Sequence, residues 1–189
     1  MYHRLAEILA VHASQVLKAM SGLEAERVVI APAQAGDGPR HPLGVKVVFA
    51  GRLDEPLAGF FICAFADLAT AQEIASAIAV KLGLDARLAD DVDGTDSLLA
   101  EYLNTVTGRT CSDWAELGLT AEFDPPMKLS ERPFEAQAGG AAFHLTVSVA
   151  GRPDVPIFLV FAPDVAVSGA PGAPGPPGPR GDAAGRSPS

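Results

Sequence analysis

At 189 residues the chain is long enough for one domain with a substantial core, and its 48% hydrophobic content fits a globular protein. A net charge of −9 and an isoelectric point near 4.8 argue against a nucleic-acid-binding or anionic-membrane surface. No run approaches the roughly 18 apolar residues of a spanning helix, so a soluble, cytoplasmic protein is expected.

The first 20 residues, MYHRLAEILAVHASQVLKAM, are apolar, but Glu7, His12, Gln15 and Lys18 interrupt them at helical spacing. That pattern is an amphipathic helix and not a signal sequence. Leu5, Ile8, Leu9, Val16, Leu17 and Met20 form its apolar stripe, and Gly22 follows as a stop. His3 and His12 have no Cys or second His at ligand spacing, so no metal site is expected there. Arg27–Pro32 is predicted as a strand, and 33–42 as a loop by its Gly, Pro and Asp content. Val45–Phe49 and Gly59–Ala64, joined by GRLDEP, make a hairpin. Asp67 is placed to cap a second helix whose Ala71, Ile74, Ile78, Val80 and Leu82 form a buried-type face ending at Gly83.

An acidic run follows, with Asp90, Asp91, Asp93 and Asp96. Setting Gly94 as the glycine of a calcium loop puts Ala89 at the first ligand position and Ala100 at the last, so a metal site is not expected. An acidic loop entering a helix N-terminus accounts for the run. That helix, Thr95–Gly118, places Leu98, Leu99, Tyr102, Leu103 and Val106 on one side. Ser97, Glu101, Asn104 and Gly108 fall in a narrow arc on the opposite side, with the carboxylate and carboxamide one turn apart. Ordinary helix design does not ask for that arc. Asn is a poor helix former, and an interior Gly costs about 1 kcal/mol relative to Ala.

Leu119–Phe123 is a strand that stops at Pro125-Pro126, a polar loop covers 130–140, and a second hairpin pairs Phe143–Val149 with Pro156–Phe161. Its turn repeats the first: AGRLDEP at 50–56 recurs as AGRPDVP at 150–156. Aligning Pro32 with Pro126 pairs Glu7 with Glu101, Ala10 with Asn104 and His3 with Ser97, so only the second half carries the amide. Cys63 and Cys111 lack any framework spacing and read as reduced structural thiols. From Ser168 the composition becomes Gly/Pro-rich with glycine every third residue. So short a run is expected to be an extended, disordered tail and not a collagen helix.

Ser97, three residues, Glu101, two residues, Asn104 and then Pro126 after 21 more resembles the pattern of chemotaxis phosphatases of the CheC/CheX/FliY type. The order of elements over residues 1–163 resembles their CheX-like branch, leaving 164–189 as tail. The resemblance implies an α+β domain of two pseudo-symmetric helix–strand–hairpin halves, with a mostly antiparallel six-stranded sheet and helices packed on it. It implies a phosphatase that removes the aspartyl phosphate of a response regulator in two-component signalling, and a homodimer. Glu101 and Asn104 would be catalytic, and Ser97 and Gly108 would contact the partner. No cofactor would be bound by this chain, because the phosphorylated regulator brings the Mg²⁺. A non-catalytic adaptor of the same fold is the alternative, and an unrelated α/β scaffold that binds through its tail is a third reading.

Overall fold

The computed structural model describes residues 1–33, 43–129 and 141–162. Three helices, α1 (Tyr2–Ser21), α2 (Leu68–Lys81) and α3 (Val92–Glu116), cover one face of a single sheet. The strands are β1 (Ala25–Pro32), β2 (Leu43–Arg52), β3 (Pro56–Phe65), β4 (Thr120–Phe123), β5 (Met127–Lys128), β6 (Ala142–Val149) and β7 (Val155–Ala162). Every pairing among them is antiparallel. The fold is α+β, as expected, and β5 is a short addition to the six expected strands.

The strand order is β1-β6-β7-β3-β2-β4. Read from either edge it runs first strand, hairpin, hairpin, so each half's β1 or β4 pairs with the other half's hairpin. Both AGR-x-D-x-P turns accordingly occupy corresponding places. Near the first turn Gly51 pairs with Ala121 of β4, and just before the second Val149 pairs with Ala25 of β1.

Alternation along the strands sets the core. Val45, Val47, Phe49, Phe61, Cys63, Ile157, Leu159 and Phe161 point at the helices and are buried. Where the halves meet, the Trp114 ring lies 5.4 Å from Phe49, 5.5 Å from Phe61 and 5.9 Å from Phe161. Its indole N–H donates to the Leu5 carbonyl at 3.1 Å, and the Tyr102 hydroxyl donates to the Ala13 carbonyl at 3.0 Å. Both bonds tie α3 to α1 through buried groups that would otherwise lose their water partners.

The expected stops and caps are present. Gly22 ends α1 in the left-handed region at φ 74°. Asp67 caps α2 by accepting the Thr70 N–H at 2.8 Å. The buried face of α2 differs from expectation: Ala71, Ile74, Ala75, Ile78 and Ala79 are buried, whereas Val80 is 63% and Leu82 46% exposed. Val80 lies off the 3.6-residue stripe. Leu82 follows the last turn, where Gly83 at φ 73° turns the chain away. The predicted loops at 34–42 and 130–140 and the tail lie outside the described residues.

Candidate functional site

The site is built on α3, whose start is fixed several times over. The Asp91 carboxylate accepts the Gly94 N–H at 2.7 Å, and the buried Thr95 hydroxyl donates to the Ala89 carbonyl at 3.0 Å. Gly94 is required here. A Cβ on it would sit 1.7 Å from the Leu88 carbonyl oxygen, so the 3₁₀ turn at Ala86–Ala89 can press against the helix only over a glycine. The acidic run thus serves as a helix entry.

From that start the helix phase follows the sequence pattern. Leu98, Leu99, Tyr102, Leu103 and Val106 are buried, while Ser97 and Glu101 are exposed and Asn104 and Gly108 half-buried. The Ser97 hydroxyl donates back to the Asp93 carbonyl at 2.7 Å. Among the described residues, neither the Glu101 carboxylate nor the Asn104 carboxamide has a hydrogen-bond or ion-pair partner. Gly108 contrasts with Gly94: a Cβ there would meet only Phe123 Cζ at 3.7 Å, an ordinary contact. Nothing in the described packing requires a glycine at that position.

Two flanks border this ridge. On one side runs the edge formed by β4 and β5, which pair with β2 in registers that differ by one residue. The extra residue falls at Asp124-Pro125-Pro126, a bulge on an edge strand, where a proline's missing N–H costs no ladder bond. Phe123 lies by Gly108, and the Lys128 ammonium reaches Asp93 and, at 3.8 Å, Asp96 near the start of α3. Hydrogen bonding to Lys128 holds the Asp93 carboxyl below the usual carboxylate range, whereas burial raises that of Asp96.

On the other side Leu82, Leu84 and Leu88 line a concavity of about 330 Å³ together with Gly94, Ser97, Leu98 and Glu101. The sequence pattern marked this flank only weakly. Its only sign is that Leu84 and Leu88 stand between Gly83 and Asp90, outside any helical stripe.

The first half offers no second ridge. Glu7 is exposed, with His3 Nε2 3.5 Å from its carboxylate, but Ala10, the counterpart of Asn104, is buried and carries no amide. Both thiols are buried, and that burial pushes Cys63 and Cys111 up to about 12. Among the described residues no group of three His, Cys, Asp or Glu side chains is placed to hold a metal ion, and no helix is long and apolar enough to cross a membrane.

No protein-family model matches the sequence, and no curated protein matches it. Solved structures do. A CheC-like superfamily protein from Shewanella sp. PV-4 superposes with a TM-score of 0.63 at 16% identity, over 84% of this chain and 97% of that one. The CheX of the CheX–CheY–BeF₃–Mg²⁺ complex from Borrelia burgdorferi gives a TM-score of 0.59 at 19% identity, over 82% and 96%. FliY from Thermotoga maritima gives 0.51 at 18% identity, over 83% and 85%. Identities this low speak for the fold alone, and the coverage of both chains agrees with it. This chain therefore has the fold of the CheC/CheX-like structures.

Proposed function

We propose that the chain is a phosphatase for the aspartyl phosphate of a CheY-like response regulator, working through the Glu101/Asn104 ridge of α3. The observation that carries this reading is that the ridge is displayed and unused by the fold: a carboxylate and a carboxamide with no partner among the described residues, beside a glycine that no internal contact requires. The CheX of similar fold in complex with CheY supports the choice of partner.

The chemistry follows from what such groups can do. Asn104 cannot act as a base, and a lone exposed glutamate is a weak one, so the ridge needs a substrate that supplies its own electrophile. A phosphorylated receiver domain does so, and its bound Mg²⁺ neutralises charge on the phosphoryl oxygens. Asn104 then needs only to hold one water in line with the phosphorus, its carbonyl accepting and its N–H donating. Attack forms the new P–O bond, breaks the bond to the aspartate oxygen, and releases inorganic phosphate and a free carboxylate. Glu101 pairs with a lysine of the regulator and docks the helix. Ser97 and Gly108 add contact and clearance, and an edge left open among the described strands serves a homodimer.

The test is loss of phosphate from phosphorylated receiver domains, with wild-type protein and with Asn104→Ala. Loss of a positioned water should slow assisted hydrolysis on the order of 10²-fold or more. Glu101→Ala should weaken docking as well as rate, and less visibly at high salt. Full activity of Asn104→Ala on a regulator that the wild type dephosphorylates removes α3 as the catalytic element. Binding of a regulator without any hydrolysis would make the domain an adaptor.

A further inference from the structure

The Leu82–Leu88 flank is not accounted for by the ridge chemistry. Leu82, Leu84 and Leu88 are 46%, 47% and 47% exposed, and all three line one concavity whose far wall is Ser97, Leu98 and Glu101. Single exposed leucines are common, but three around one hollow form a contiguous apolar patch. The patch is also held by local hydrogen bonds. The Leu84 N–H is bonded to the Ala79 carbonyl at 2.9 Å, the Gln72 amide to the Asp90 carbonyl at 2.8 Å, and Thr95 to Ala89 at 3.0 Å. With Leu88 pressed onto Gly94, these bonds keep the leucines from turning down into the core. Of the residues that line the hollow, Glu101 alone is charged; Asp85 is paired with Arg87 at 2.8 Å, and Asp93 and Asp96 face Lys128 on the other flank.

We propose that this hollow is the docking pocket for the receiver domain, taking an apolar side chain from the surface that borders its phosphorylated cleft, while Glu101 at its edge meets a basic residue of the partner. This rests on the phosphatase reading above, and it assigns a division of labour: the Leu82/Leu84/Leu88 flank sets which regulator binds and how tightly, while Asn104 sets the rate. The geometry supports a single occupant because Glu101 belongs to both surfaces. A partner that covers Glu101 also covers the hollow. An apolar anchor in a preformed pocket with a charge at its edge is the arrangement from which affinity and partner choice arise.

The test uses the full chain and a panel of Mg²⁺-loaded receiver domains, either phosphorylated or carrying beryllofluoride as the phosphoryl mimic. Leu84→Gln/Leu88→Gln changes two half-exposed side chains, and an unchanged melting curve confirms that the fold is kept. The double variant should raise Kd for the beryllofluoride form, and KM for hydrolysis, by roughly tenfold or more, as loss of an interface anchor does. Its kcat at saturation should stay that of the wild type. Asn104→Ala should show the opposite pattern, with Kd kept and kcat lost. Unchanged Kd and KM in the leucine variant overturn the docking pocket while leaving the phosphatase reading intact. If the variant instead converts a wild-type dimer to a monomer at unchanged regulator affinity, the hollow belongs to a second copy of this chain and the proposal fails. If no receiver domain binds the wild type, both readings fall together.

Discussion

The side chains assigned to function on α3 should be destabilising ones, and this can be measured without knowing the partner. Asn104 is half-buried without a hydrogen-bond partner among the described residues, so its replacement by Ala breaks no bond among them. Helix propensity alone then favours Ala, by about 0.5 kcal/mol. Gly108 sits in the interior of a 25-residue helix, and the Cβ that Ala would add comes no nearer than 3.7 Å to Phe123. There the gain should be about 1 kcal/mol, from the lost freedom of the unfolded chain and the better helix former. Asn104→Ala/Gly108→Ala should therefore be more stable than wild type by about 1.5 kcal/mol, or roughly 3–6 °C in melting temperature for a domain of this size. Thermal unfolding by circular dichroism measures it, and urea titration should show a higher midpoint at unchanged slope. The same variant should lose assisted dephosphorylation, the usual opposition of stability and activity at a functional surface. A melting temperature equal to or below that of wild type would refute the reasoning. It would mean that the fold itself uses one of these residues.

Tyr102→Phe should cost about 1 kcal/mol in urea unfolding, because it removes the buried hydroxyl bond to the Ala13 carbonyl and leaves that carbonyl its partner within α1. Two aspartates should respond to pH in opposite directions. Capping bonds from Thr70 lower the folded pKa of Asp67, so the stability it lends is present above about pH 4 and is lost as pH falls. The deficit of Asp67→Ala should accordingly be full at neutral pH and shrink on acidification. Burial raises the folded pKa of Asp96, so its contribution is favourable below about pH 4 and is lost as pH rises. Asp96→Asn should gain on wild type at neutral pH and lose that advantage in acid. Melting temperatures of the three proteins across that range check both signs.

Much of this molecule is local, and the local parts were legible. The stripe of α1, the Gly22 stop, the Asp67 cap and the opposite faces of α3 follow from side-chain spacing and terminal chemistry, which act within one or two turns. The repeated AGR-x-D-x-P turns announced two equivalent halves, and the Ser97–Glu101–Asn104–Gly108 arc was visible as a polar line on a helix that had no need of one. Other features were settled only when distant segments met. The exchange of β1 and β4 between halves depends on which edges are free once both hairpins are formed, and no single segment carries that information. The pairing of β5 past the Pro125-Pro126 bulge depends on β2 lying alongside it. Above all, the role of Leu84 and Leu88 appears only where Gly94 lets the 3₁₀ turn close on α3 and builds a hollow against Glu101. Periodicity reports which face of an element is apolar, whereas a concave surface needs two elements held at a fixed separation, and only tertiary packing sets that separation.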